Sequence, residues 1–437
     1  MFREIMMRFL DSIGGPLALP RKQVVPLASV TIATAFNNLV GFVVNVVAAK
    51  KLGAEGFGVF SLAFSVATLA GTVGDFGFNL AMIRLFNKYQ AEPEKQTMVL
   101  GTALSLKGML FALLAVTCLP LSSFLAWSLG VGSVNSKLFA IALITGGFLF
   151  LWTYLQSYLQ AYRSFKQLTG YILAYCGLRL ASLLVAYKLF PEDPLAWLAA
   201  TYTVPVFVLT LVGMAPKGRE AIAVTLRQSG ASLSMLREML HYSKWVALSG
   251  ISYIAMPYLA RFILAVRASL EEVGIFSAGM TFTVAFTTLN TAIRAVLFPQ
   301  VTALEGREQI GRYLSRLTRI APYYAVLAVL GIAGLGSLQW FVLGEEYRRA
   351  LPVFLVTAGA FAAVVFLGLG TMLVHTMMRP QVDAWVNIVR LGLMVLLASI
   401  LVPSFHALGA AVAYAVPVLA GEVWMFRYVE QKSSGGL

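Results

Sequence analysis

"LGAEGFGVFSLAFSVATLAGTVGDFGFNLAMIR", Leu52 to Arg84, is apolar enough to sit in lipid, yet it carries Asp75 and Asn79 and ends on an arginine. Ser61, Ser65, Thr68, Thr72, Asp75 and Asn79 are spaced 4, 3, 4, 3 and 4. At helical periodicity that spacing puts all six on one face, with the remaining faces apolar. The stretch therefore reads as a membrane helix with a polar stripe that must turn away from lipid.

The rest of the chain agrees. Its 437 residues are 59% hydrophobic and 12% charged, with a mean hydropathy of +0.80. A soluble protein of this length could not hide that much apolar surface. Apolar runs of about 20 residues recur, each long enough to cross a bilayer as a helix. They are continuous rather than alternating, which argues against a membrane β-barrel. The fold class is an all-α integral membrane protein. Twelve spans are expected, at about 26–48, 57–83, 98–119, 137–160, 168–189, 195–214, 245–267, 273–298, 320–342, 350–376, 381–402 and 407–427.

The net charge of +14 would suggest nucleic acid in a soluble domain. Here most Lys and Arg fall in the N-terminus, the even-numbered loops and the C-terminus. Glu55, Glu192, Asp193, Glu271, Glu272, Glu345 and Glu346 collect in the odd-numbered loops. The positive-inside rule then accounts for the charge and predicts two cytoplasmic termini, with no nucleic-acid partner. Only Cys118 and Cys176 and three His are present, which supports neither a disulfide framework nor a metal site. The opening "MFREIMMRFLDSIGG" is interrupted by charge, unlike a signal peptide. It segregates apolar and charged residues on two helical faces, as an interfacial helix within residues 1–25 would. The tail 429–437 is expected to be disordered.

"GVFS" within "EGFGVFSLAF" at Glu55 returns as "GIFS" within "EEVGIFSAGM" at Glu271, 216 residues on. "SLGVGSVNSKLFAIAL" around Gly130 matches "VLGEEYRRALPVFLV" around Gly344, and Arg163 matches Arg379. The polar segment 215–244 separates the two copies as a cytoplasmic linker. Two six-helix bundles, 26–214 and 245–428, then point the same way and are related by an axis along the membrane normal, with a site expected between them.

Other spans carry polar stripes too. Thr31, Thr34, Asn38, Gly41 and Asn45 align in span one, and Thr153, Gln156, Gln160 and Arg163 in span four. Tyr171, Tyr175, Arg179 and Ser182 align in span five, Thr283, Thr287, Asn290 and Arg294 in span eight, and Asp383, Asn387 and Arg390 in span eleven. Ser, Thr and Gly on such faces equally suit close helix–helix contact. Asn, Asp and Arg cost several kcal/mol if left unpaired in hydrocarbon, so stripes converging on a watery cavity explain the set best. Asn37, Asn38, Asn45, Asn79, Gln156, Gln160, Tyr175, Asn290 and Asn387 are the candidate lining.

Cations dominate this set. Lys107, Arg179, Arg261 and Arg390 lie well inside their spans, with Arg84 and Arg294 nearer the cytoplasmic ends. Surplus fixed cations attract anions, and the planar arginine fork suits phosphate. The blander reading of each arginine is a salt bridge or a snorkelling side chain. Asp75 and Glu422 are the candidates for proton or sodium coupling, and Asp75 equally suits an internal counter-ion. No phosphate-binding Gly-rich loop or catalytic constellation is present, so the chain reads as no enzyme and without cofactor.

The motifs together resemble the polysaccharide-synthesis membrane proteins, the Wzx-type O-antigen flippases of the multidrug/oligosaccharidyl-lipid/polysaccharide exporter superfamily. The family's Leu-Gly-x-Glu-x-aromatic-Gly falls on Leu52, Gly53, Glu55, Phe57 and Gly58, its Asp-Phe-Gly on Asp75, Phe76 and Gly77, and its span-closing Arg on Arg84. "VLFPQVTAL" resembles the Phe-Pro ending of span eight, and "LGEEYRRALPVF" the Gly-x-x-Tyr entry to span ten. "MMRPQ" after span ten departs from the family in lacking a Gly beside the basic residue, and twelve spans are two fewer than in lipid II flippases. The resemblance implies two bundles in a V around a central cavity, in the cytoplasmic membrane of a prokaryote. It also implies a substrate, an oligosaccharide on a polyprenyl (di)phosphate, turned from the inner to the outer leaflet by alternating access. Cations would hold the phosphate, Asn and aromatic groups would meet the sugars, and the tail would stay among membrane lipids. A polysaccharide polymerase and chain-length machinery would be its partners. The alternatives are a drug or small-solute exporter of the same superfamily, which calls for an acidic cavity, and a glycan ligase or polymerase, which calls for a long outer loop.

Overall fold

A computed structural model describes residues 21–130, 136–214, 229–302, 304, 307–373 and 380–434. The expected interfacial segment falls largely outside them. Every regular element among the described residues is helical, as lipid requires of a chain that must satisfy its own backbone. The helices are α1 (Arg21–Asp75), α2 (Phe78–Lys88), α3 (Pro93–Ser128), α4 (Ser136–Ala161) and α5 (Phe165–Leu189). Then come α6 (Pro194–Met214), α7 (Ser229–Arg267), α8 (Leu270–Thr302), α9 (Arg307–Leu343), α10 (Ala350–Thr371) and α11 (Pro380–Ser434).

Ten helical stretches are long and apolar enough to cross a membrane. Two of them hold two spans each. α1 has 55 residues and breaks at Gly53 (φ 68°, ψ 176°), and α11 has 55 residues and breaks at His406 (φ 49°, ψ −127°). At 1.5 Å per residue either helix, unbroken, would run about 80 Å, far beyond the roughly 30 Å hydrocarbon core. Glu272 supports the second break by accepting the Ala407 N–H at 3.0 Å.

Three expectations change. Span two is not one helix over 57–83, because Phe76 (φ 41°) and Gly77 (φ 70°) adopt left-handed conformations between α1 and α2. The segment 229–244 is not a linker but a helix continuous with span seven; residues 215–228 lie outside the described set. The tail stays helical to Ser434.

α1 packs on α4, α5 and α6, and α3 on α4. In the second half α7 and α10 pack on α11, and α8 on α10. α1 also runs against α7 and α8, which joins the halves. Their closest approach is the repeated motif itself. A Cβ on Gly58 would strike the Leu270 carbonyl, and one on Gly274 would strike the Ala54 carbonyl. Gly58 and Gly274 are 216 residues apart, as are Ala54 and Leu270, so the contact is symmetric. Glycine is required on both sides because only a bare Cα lets the two backbones come this near. The second echo also has shared geometry, with Gly130 (φ 67°) and Gly344 (φ 73°) both left-handed.

Candidate functional site

The acidic-loop end of the assembly is tied shut between the halves. Ala54 N–H donates to Glu346 Oε1 at 2.7 Å, and the Tyr347 hydroxyl donates to the Ala49 carbonyl at 2.9 Å. One turn inward from the glycine crossing lies Ser61 and its repeat partner Ser277. There Arg261 reaches from α7, with Nε donating to Ser277 Oγ at 2.9 Å and Nη1 to Ser65 Oγ at 3.1 Å. Its guanidinium lies 5.4 Å from the Tyr258 ring. It bridges α1, α7 and α8 without a salt bridge to any described carboxylate. Further along the same junction Asn38 Nδ2 donates to Thr288 Oγ1 at 3.1 Å, and Phe42 meets Phe282 edge-on at 5.1 Å. Arg84 is exposed and stacks 4.3 Å over the Tyr242 ring. Arg294 is half-buried and acts electrostatically on Glu422.

A second group lies inside the first half. Lys107 is fully buried and its ammonium spends all three N–H donors, on Asp75 Oδ1 at 2.7 Å, Asn79 Oδ1 at 2.8 Å and the Phe150 carbonyl at 2.9 Å. The break at Phe76–Gly77 is what lets Asp75, closing α1, and Asn79, opening α2, share one cation. Lys107 is thus corrected from phosphate ligand to structural cation, because it has no donor left. Asp75 is its counter-ion, one of the two roles left open by the sequence.

Arg179 is also inside the first half and 3% exposed. Nη1 donates to Asn37 Oδ1 at 3.3 Å, and Nε to the Thr201 carbonyl at 3.2 Å. That carbonyl is available because the residue four further on is Pro205, which has no N–H to offer. The helix answers with a π turn over Ala199–Thr203. Tyr175 and Tyr202 flank the guanidinium at 5.3 and 4.5 Å.

The third group belongs to the second half. Arg390, 3% exposed, donates from Nη1 to Asn387 Oδ1 at 2.9 Å and lies 3.5 Å from Glu422 Oε1. Asn387 Nδ2 donates to Ser249 Oγ at 2.9 Å, and Ser249 in turn bonds Asp383. Arg179 and Arg390 are therefore each buried within one half and do not meet between them, as the sequence led us to expect. Asn290 turns toward Gly368 of α10, 3.6 Å from where a Cβ would stand. Asn45 and Gln156 are half-buried and Gln160 is exposed; no contact ties these three to the groups above.

The Ser and Thr of the opening stripe mostly bond their own helix. Ser65 donates to the Ser61 carbonyl at 2.7 Å, Thr68 to Phe64 at 2.9 Å and Thr72 to Thr68 at 2.8 Å. This is the helix–helix interface reading rather than a wet wall. Sequence reasoning missed Ser249, Ser277 and Thr201. Ser277 was visible as the repeat partner of Ser61, and Thr201 through Pro205.

The fold and these sites define an all-α transporter of two joined helical halves. It resembles a lipid II flippase MurJ in an inward closed conformation (TM-score 0.71, 12% identity, 92% of this chain and 87% of that one). It also resembles an inward-facing multidrug resistance MATE family transporter of the MOP superfamily (TM-score 0.68, 15% identity, 94% and 98%). The family model for polysaccharide biosynthesis protein matches residues 27–305, well over half of the chain, and the chain belongs to that family. It is 24% identical over 217 residues to the probable low-salt glycan biosynthesis flippase Agl15 of Haloferax volcanii. That match takes in 48% of this chain and 45% of the relative, so the chain spans less than half of the curated relative's length.

Proposed function

We propose that the chain moves a lipid-linked glycan across the membrane, binding the (di)phosphate of its carrier between the two halves. The observation that carries this is Arg261, a cation held at the junction by two serines and two repeat elements without a carboxylate beside it. Arg84 and Arg294, from the stripes of spans two and eight, extend the same positive lining. An anion is the ligand such a lining favours, and an arginine fork can donate two parallel bonds to phosphate. Family membership supports a glycan on that phosphate. Asn38 and Asn290 are placed to meet sugar hydroxyls, and the polyprenyl tail stays in lipid.

The charge asymmetry of the loops supports a multi-pass protein with both termini cytoplasmic, in the cytoplasmic membrane of a prokaryote. The closed acidic end then faces outward, and the glycan enters from the inside. With Asp75 committed to Lys107, Glu422 is the carboxylate left for proton or sodium coupling. Handover to a polysaccharide polymerase would follow on the far side.

The test is reconstitution in liposomes with a labelled polyprenyl-diphosphate oligosaccharide, measuring its transbilayer movement. Wild type moves the glycan, and Arg261→Ala and Arg294→Ala slow it about tenfold or more while staying folded, as loss of a charge-assisted contact worth 1.4 kcal/mol or more requires. Folded wild type that moves none of several glycans, under either imposed ion gradient, overturns the proposal.

A further inference from the structure

The Arg179 pocket is not explained by substrate handling. Its guanidinium is 3% exposed and makes no salt bridge with a described carboxylate. The other buried cation of this half, Lys107, already has its acid in Asp75. Tyr175 and Tyr202 lie over the guanidinium, but ring faces do not satisfy in-plane N–H groups. Nε and Nη1 find a carbonyl and an amide oxygen, and Nη2 has no hydrogen-bond partner. A buried cation left one acceptor and one negative charge short is costly in a helical bundle.

The space for that missing charge is also present. A Cβ built on Gly41, one turn beyond Asn37 on α1, would find only Nη1 and Nη2 of Arg179 within 4 Å, both at 3.7 Å. The fork thus faces an opening bounded by a bare glycine. One uncompensated positive charge balances one negative charge. A (di)phosphate here would bring at least one charge in excess into the interior of the half, and nothing further is available to neutralise it. We propose that Arg179, Asn37, Gly41 and Tyr202 form a site for a small monovalent anion of the halide class, inside the first half and separate from the junction between the halves.

The site is tested without any glycan, so its failure and that of the flipping proposal are read separately. The purified full-length protein in lipid nanodiscs is titrated with sodium chloride, sodium bromide, sodium gluconate or sodium pyrophosphate at constant ionic strength. Thermal unfolding is followed in each. Chloride and bromide are expected to raise the Tm saturably, by about 2 °C or more at saturation, and gluconate not at all. Gly41→Ala keeps Arg179 and places a methyl at ordinary contact distance, so it should fold and weaken the halide response about tenfold. Gly41→Leu and Arg179→Gln should abolish it. Crystals grown in bromide should show an anomalous peak beside Arg179 Nη2.

A Tm indifferent to the anion overturns the proposal. So does an equal halide response in wild type and both Gly41 variants, or a bromide peak elsewhere only. Pyrophosphate displacing bromide from Nη2 would also overturn it, by handing the pocket to the substrate phosphate. If Arg179→Gln does not fold, the Gly41 variants and the bromide peak decide.

Discussion

Spans two and eight begin as near copies and end as different devices. Both start with Gly-hydrophobic-Phe-Ser, and these starts cross each other at Gly58 and Gly274. Span eight then continues without a break to Thr302. Span two stops at Asp75, turns through two left-handed residues and restarts at Phe78. The position 216 residues after Asp75 is Thr291, and the one after Lys107 is Tyr323, so the second half has neither member of the ion pair. Thr291 returns its hydroxyl to the Thr287 carbonyl at 3.0 Å, as a helical threonine does. The repeat has kept what both halves need, the crossing, and has let one half acquire a bent, charged elbow. The elbow also gives α7 its seat: Gly77 lies against Ser243 and Ala247, where a Cβ would stand 3.3 Å from the Ala247 nitrogen.

The shared part should be the most sensitive to change. Replacing Gly58 or Gly274 by Leu puts a side chain where a backbone now lies, and the acidic end can no longer close. Transport in the liposome assay should fall below detection for either variant, and by the same amount, since the contact is symmetric. A Gly58→Leu protein that transports normally while Gly274→Leu does not would show that the two copies have separate roles. Next in size is the part the halves do not share. Lys107→Ala removes the only base from Asp75 and leaves the Asn79 and Phe150 oxygens facing a void. A loss of about 3–5 kcal/mol in unfolding free energy is expected, read by chemical unfolding in detergent. Lys107→Met with Asp75→Leu should recover most of it, because the pair as a whole contributes less than its broken remainder costs. Thr291→Ala, at the matching position of span eight, should change stability by well under 1 kcal/mol.

The contrast also shows what a single sequence could reveal. The twelve spans and the doubled motif were legible because hydropathy and repetition are local properties, readable along the chain. Gly58 and Gly274 stood in that repeat, although nothing in it said that the two copies touch. The polar stripe from Ser61 to Asn79 was visible as spacing, but its helix breaks before Asn79. Left-handed Phe76 is dictated by the Lys107 contact and by α7, neither of which lies nearby in sequence. The same holds for the arginines: spacing put Arg179 and Arg390 at midspan, yet which way each turned was decided by Asn37 and Thr201 in one half and by Asn387 and Glu422 in the other. Arg261, outside every stripe, proved to be the cation at the junction.

The smallest effects belong to the segment mistaken for a linker. The start of α7 docks on α2 and α3 through Met235 and Met239, which are buried among Phe78, Met82, Leu85, Val99 and Leu104. At its edge Glu238 accepts from Lys88 at 2.6 Å and from Tyr89 at 2.8 Å. The ion pair is the more visible contact, yet Lys88 is 57% exposed, and such pairs are screened by solvent and hold little. Met239 is fully buried, and truncating it leaves a cavity. Met239→Ala should therefore cost about 2 kcal/mol or more and raise hydrogen exchange across residues 233–244. Glu238→Gln, which keeps a carbonyl acceptor for Tyr89, should leave both the unfolding midpoint and that exchange near wild type. If Glu238→Gln frees the segment and Met239→Ala does not, charge rather than packing fastens α7 to the first half. The bent elbow of span two would then serve as an electrostatic catch, a role that span eight, with no charged elbow of its own, could not share.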